Sequence, residues 1–239
     1  MNTLERAQAT RSLKRLMEVQ LFVAACLWGT SIVVVAVILT LVDRFGTVNV
    51  SALSVGSQVG MWFCFALSVL ATTQYLPIHV AAGMTRRAFV LSSIVSAVLT
   101  AIVYAVVLTV LLQVERAVFG ALGWAYSFPE GQMFTSTDQL LAVFGQFLLV
   151  FVGGGLGGLL VGIVYYRGGA AIGTLALLVT VTPVLLVAGI VRDGPPVWRT
   201  VPLPDGTWAR VGLAIVVLAL VTTAYRLVAR RVPITPAMG

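Results

Sequence analysis

The chain has 239 residues, of which 59% are hydrophobic and only 10% charged, with a net charge of +7 and a mean hydropathy of +1.04. So little polar surface cannot cover a soluble globule of that length, and the basic excess lacks the aromatic-interleaved stripe of a nucleic-acid-binding face. The composition points to a polytopic membrane protein with no nucleic-acid partner.

The first segment, residues 3–18, is charged yet periodic. Leu13, Leu16, Met17, Gln20 and Leu21 share one helical face, while Arg11, Lys14, Arg15 and Glu18 fall elsewhere. This pattern predicts an amphipathic helix lying along the inner membrane surface, the alternative being a solvated flank. Six long apolar stretches follow, at about 19–42, 53–75, 88–114, 140–166, 170–191 and 209–228, and the first five contain no Asp, Glu, Lys or Arg. Each meets or approaches the roughly 20 apolar residues that cross about 30 Å of hydrocarbon. Val23, Ala24, Ala25 and Cys26 read like a lipoprotein cleavage box. The apolar run before Cys26 is too short for a signal peptide and continues beyond it, which predicts an uncleaved first span.

Between the spans, residues 43–51 with Gly46 and Asn49 form a short outer turn that makes spans one and two antiparallel neighbours. Residues 76–87 combine Pro77, His79, Gly83, Thr85, Arg86 and Arg87, predicting a short bent helix at the inner interface whose arginines reach a cytoplasmic partner or anionic lipid. Residues 115–139 form the longest outer loop, where Phe119, Trp124, Tyr126, Phe128 and Phe134 are suited to headgroup anchoring. Span four carries Gly153, Gly154, Gly155, Gly157, Gly158 and Gly162. Small residues every four positions let backbones approach closely, so this face packs on another helix, of this chain or of a second copy. Thr182 and Pro183 predict a kink in span five. Residues 192–208, with a Pro-Asp-Gly turn between Trp198 and Trp208, predict a small outer hairpin.

Ten Lys and Arg residues fall on one side of this arrangement and five on the other, which also holds six of the eight acids. The positive-inside rule makes the richer side cytoplasmic and puts both termini there. Cys26 and Cys64 lie inside apolar stretches and read as core residues, not as a disulfide. The zinc-protease, nucleophile-elbow and CxxC patterns are missing, and His79 is the only histidine, so no catalytic, metal-binding or cofactor-binding residue is expected. With no ionisable group at mid-depth to bind a coupling ion, work on a solute must come from a separate ATPase. Gln58, Tyr104, Gln146 and Thr182 are the uncharged polar residues that could line a path, or else bond neighbouring helices.

At Gly83-Met84-Thr85-Arg86-Arg87-Ala88-Phe89 the chain resembles the G-x-[ST]-R-[RK]-x-F segment of actinobacterial permease subunits of ABC transporters, type-2 exporter (ABC-2-like) family. Residues 157–169, which include Gly157, Gly158 and Gly162 and end in Tyr166-Arg167-Gly168-Gly169, resemble that family's glycine-rich helix ending in Tyr-Arg-x-Gly. The resemblance implies an all-α, multi-pass protein of the bacterial cell membrane, with residues 1–239 forming a single six-span permease domain. It implies pairing with a second permease chain and docking on a cytoplasmic nucleotide-binding ATPase subunit that holds the ATP and Mg. Pro77, His79, Gly83, Thr85, Arg86 and Arg87 would then form the coupling segment, and residues 3–18 the connecting helix. The long loop after span three departs from the family's usual outer architecture and leaves the substrate open. A membrane scaffold or regulator, and a secondary carrier or channel, are the competing classes.

Overall fold

The computed structural model of the protein describes residues 3–45, 50–83, 85–129, 131–192 and 206–230. Met84, the outer turn at Gly46 and Asn49, and the hairpin expected between Trp198 and Trp208 lie wholly or mostly outside the described residues. The described chain is helical, with one isolated bridge between Val50 and Ser127 in place of any strand. The long helices are α1 (Thr3–Phe45), α2 (Ala52–Leu70), α4 (Arg86–Leu122), α5 (Leu140–Val191) and α6 (Thr207–Arg230), and the short α3 (Leu76–Ala81) follows α2 through a π-helical turn at Ala71–Tyr75. Five helical stretches are long and apolar enough to cross a membrane, α2 and α3 counting together as Ala52–Ala81.

The N-terminal segment is not a separate interfacial helix. Residues 3–28 contain no glycine or proline and are rich in Ala, Leu, Arg, Glu and Gln, so nothing interrupts the backbone ladder, and α1 runs unbroken for 43 residues, about 65 Å. Ser12, Leu16, Gln20, Ala24 and Trp28 form a buried stripe at i, i+4 spacing. Leu21, expected on that face, is 40% exposed. The stripe lies along α4 in parallel register, since Ser12 meets Ser92, Gln20 meets Ser96 and Thr100, and Trp28 meets Tyr104.

Helix α5 is 52 residues long, and as a straight rod it would extend about 78 Å, more than twice a hydrocarbon core. It breaks at Gly169, whose φ of 69° and ψ of −175° interrupt the ladder in a region that favours glycine. The two arms fold back on each other. A Cβ added at Gly153 would lie 3.2 Å from Val187 Cγ1, one at Gly157 would collide with Val184, and one at Gly173 would strike the Tyr165 ring. The element is therefore an antiparallel helical hairpin.

The first arm of this hairpin is the centre of the bundle. Its Gly154, Gly158 and Gly162 sit against the backbone carbonyls of Met61, Phe65 and Val69 on α2, at the same four-residue interval on both helices. Equal intervals in the same sense make the two helices parallel. Gly155 faces Ala97 of α4, and Phe151 meets Tyr104 with ring centroids 5.9 Å apart, so α4 crosses the same arm in the antiparallel sense.

Two more boundaries differ from the sequence expectation. The outer loop begins later than residue 115, because α4 continues to Leu122 and stops where Gly123 adopts a φ of 70°. The second apolar helix passes beyond Tyr75: Pro77 sits in the first turn of α3, where its missing N–H is tolerated, and the π-helical turn before it absorbs the change in hydrogen bonding.

The packing makes two glycines opposite in consequence. Gly158→Ala puts a methyl onto the Phe65 carbonyl, a backbone atom that cannot rotate away. It should destabilise the protein by about 1–3 kcal/mol in thermal unfolding in mild detergent. Gly145→Ala meets nothing within 4 Å, and should be neutral or stabilising by up to ~1 kcal/mol.

Candidate functional site

The polar residues gather in three places: the start of α2, on the side expected to be outer; the seam between α1 and α4; and a cleft where α4 starts and α6 ends, on the side expected to be inner. At the outer end, Ser51 caps α2 by accepting a hydrogen bond from the Ser54 amide (3.0 Å). Glu115 of α4, only 5% exposed, completes that cap. Its Oε1 accepts from the amides of Ala52 (2.9 Å) and Leu53 (3.2 Å), and its Oε2 from the hydroxyls of Ser51 (2.5 Å) and Tyr126 (3.3 Å). A carboxylate at a helix N-terminus is favoured both by the orphan amides and by the helix dipole. Burial, with the adjacent Glu115 carboxylate, pushes the Tyr126 hydroxyl well above its usual pKa.

One turn further along α2, Arg192 at the end of α5 donates to the Ser54 carbonyl (3.2 Å) and to the Ser57 hydroxyl, and its guanidinium lies 5.4 Å from the centre of the Phe147 ring. Burial lowers its pKa to about 10, so it remains a cation at neutral pH. Its Nε has no partner among the described residues. The loop above carries the Arg116–Asp138 ion pair, whose hydrogen bond holds the Asp138 carboxyl below the usual carboxylate range.

The aromatic residues of this loop are linked to one another. Phe119 and Phe134 are buried, and edge-to-face contacts at centroid distances of 5.0–5.4 Å link Trp124, Phe119, Tyr126, Phe128 and Phe134. The series continues through Phe147 and Phe151 to Tyr104 and Trp28, running from the outer loop into the core. Edge-to-face pairs of this kind add packing energy at this end of the bundle.

The α1–α4 seam is a second polar line. Gln20 Oε1 accepts from Ser96 (2.5 Å) and Thr100 (2.6 Å), Ser12 pairs with Ser92 (2.7 Å), and Ser93 pairs with the Tyr225 hydroxyl of α6 (2.9 Å).

Of the residues proposed to line a path, Gln58 is exposed on α2, whereas Tyr104 is sealed among Trp28, Gly60 and Phe151 with its hydroxyl unpartnered among the described residues. Gln146 accepts from the Met133 amide (2.7 Å) and donates to Gln132, tying α5 to the outer loop. Thr182 donates to the Leu178 carbonyl of its own helix. The four do not share a lining. The glycines proposed for packing are occupied within the chain: Gly154, Gly158 and Gly162 by α2, Gly153 and Gly157 by the returning arm of α5.

The inner segment divides in two. His79 is buried, its Nδ1 is 2.8 Å from the Tyr75 carbonyl, and its ring meets Phe89 edge to face at 5.2 Å, so this side chain faces the bundle and not a cytoplasmic partner. Pro77 starts α3, and Gly83, with φ 72°, ends it. Thr85 then caps α4, its hydroxyl accepting from the Ala88 amide (3.3 Å) and its own amide donating to Gln8 of α1 (3.2 Å). Arg86 and Arg87 open α4 and line a cleft of about 840 Å³ together with Arg226 and Arg230 of α6 and Glu5 of α1.

Comparisons with protein-family models, with curated proteins and with solved structures find no match to this chain. The reading of the site therefore rests on its own residues. Sequence reasoning missed the Glu115 cap, the Gln20 seam and the part of α6 in the inner cleft. The seam had a visible signal, because Ser92, Ser96 and Thr100 recur every four residues inside an apolar run and match Ser12 and Gln20.

Glu115→Ala strands two amides at a buried helix end and should cost about 1–3 kcal/mol. Glu115→Gln, which keeps an acceptor oxygen, should cost less. Thermal unfolding of the two variants in detergent checks the order, and equal losses would contradict the capping role.

Proposed function

We propose that the chain is the transmembrane subunit of an ATP-driven transporter of ABC type, an exporter, crossing the cell membrane six times with both ends inside. It forms the translocation path with a second permease chain and is driven by separate cytoplasmic ATPase subunits. The observation that carries this reading is the inner segment. A short helix, α3, and two arginines at the start of α4 stand between the second and third long apolar helices, on the side where the ends of α1 and α6 meet. The family resemblance at 83–89 and 157–169 assigns such a segment to ATPase coupling.

The six crossings draw support from helix directions. Parallel α1 and α4, parallel α2 and first arm of α5, and an antiparallel α5 hairpin are the relations that six alternating crossings require. With the hairpin turn at Gly169, the reading puts Arg167 on the same side as Arg86 and Arg87, as the positive-inside rule favours.

In this reading ATP binding by the partner subunits moves the α3–α4 corners, and the permease pair shifts between inward- and outward-facing packings. Nucleotide drives the shift only through different affinities for the two states. His79 contributes by fixing α3 to Phe89 of α4, so that a push on the corner reaches α4, while Arg86 and Arg87, at the edge of the cleft, supply the basic charge beside that corner.

Arg86→Glu with Arg87→Glu tests the assignment. Acids in the first turn of α4 suit the helix dipole, so the variant should fold. It should co-purify less ATPase subunit and show reduced stimulated ATP hydrolysis, and unchanged values for both would remove the coupling role. The core closed by Tyr104, Phe147 and Phe151 favours, as a second reading, a membrane scaffold or regulator. Purification in mild detergent without any nucleotide-binding chain would support that alternative.

A further inference from the structure

The positive-inside rule accounts for how many arginines stand on the inner side, but not for their convergence. Arg87 begins α4, and Arg226 and Arg230 end α6, about 140 residues later in sequence, yet all three line one concave space. Arg226 and Arg230 are four residues apart and so project from the same face of α6. No carboxylate is paired with any of these three among the described residues, and Glu5 is the one acid in the lining. The same lining includes the apolar side chains of Val90, Leu91 and Ala229. The volume of about 840 Å³ falls within the range of small-molecule sites.

We infer that this cleft binds the phosphate headgroup of an anionic membrane phospholipid. Arg87, Arg226 and Arg230 would hold the phosphate oxygens, with Val90, Leu91 and Ala229 against the start of the acyl chains. Guanidinium forks match phosphate geometry in paired hydrogen bonds, and the N-terminal end of α4 adds a favourable dipole for an anion. The mixed lining selects the source. A soluble phosphate has no use for an apolar wall, whereas a lipid has a charged head and a hydrocarbon body that meet at the depth where α6 leaves its apolar stretch. This inference does not rest on the transport reading, because the site lies wholly within one chain, although Arg87 is shared with the proposed coupling corner.

The test uses the full chain alone, purified in a zwitterionic detergent, with thermal unfolding followed while phosphatidylglycerol, phosphatidylcholine or inorganic phosphate is added. Phosphatidylglycerol should raise the midpoint in a saturable way, and phosphatidylcholine and inorganic phosphate should not. Arg226→Gln with Arg230→Gln should shift the lipid titration to at least about tenfold higher lipid. Arg87→Gln, on α4, should weaken it on its own and keeps the test independent of α6. Unaltered titrations in both variants would overturn the site. A shift of the wild-type midpoint by inorganic phosphate equal to that by lipid would overturn the lipid assignment.

Discussion

The arrangement depends on one close contact, the backbone of α2 lying against the glycine face of α5 at Gly154, Gly158 and Gly162. In a membrane the hydrocarbon around a helix is as apolar as its side chains, so helices associate through short-range packing and interhelical hydrogen bonds more than through escape from solvent. Close approach is then what holds two helices together. A Cβ at Gly154 would stand 2.6 Å from the Met61 carbonyl and one at Gly162 2.9 Å from that of Val69, distances that only glycine tolerates. The same arm uses Gly153 and Gly157 to receive its own return strand of helix and Gly155 to meet α4. One glycine-rich helix thus touches three neighbours, and the positions of Glu115, Arg192 and the inner cleft follow from where those neighbours are held.

Apart from a few unpartnered atoms such as the Tyr104 hydroxyl and Arg192 Nε, the buried polar groups named above are paired across helix boundaries. Glu115 supplies acceptors to the first amides of α2, which no residue of α2 beyond Ser51 provides for. Arg192 reaches the next turn of the same helix from the end of α5. Between them they fix the outer end of α2, while Gln20 and the Ser92–Thr100 series hold α1 to α4 through acceptor and donor pairs that need no charge. Among the described residues, Arg86, Arg87, Arg226 and Arg230 converge on one cleft, and that cluster, more than any path through the core, is what the proposed coupling draws on.

How much of this was readable beforehand varies with the range of the interaction. Helix existence followed from apolar runs, and the glycine interval in residues 153–162 foretold close packing, because both are local patterns. Helix ends were less legible. The sequence around residue 18 offers a change of polarity but no breaker, and α1 ignores the change; similarly α4 passes Glu115 because its carboxylate finds buried donors on α2, a partner 62 residues away. That the loop aromatics touch one another was not legible, since single-sequence patterns carry no information on which rings meet. His79 was expected at the interface, yet the Tyr75 carbonyl and the Phe89 ring draw it inward. The four path candidates were chosen for polarity alone, and Gln58 and Tyr104 lie in unlike surroundings. The inner cleft joins residues far apart in the chain, which no spacing reveals.

The transport reading requires that the Gly169 turn of α5, the start of α4 and the end of α6 share the cytoplasmic side. Single cysteines in a background lacking Cys26 and Cys64 test this most directly: Ala170→Cys beside the turn, and Thr135→Cys in the outer loop, treated in intact cells with a membrane-impermeant thiol reagent. Thr135→Cys should be labelled from outside, and Ala170→Cys only after the membrane is opened. Labelling of Ala170→Cys in intact cells would place the hairpin turn outside and contradict the account.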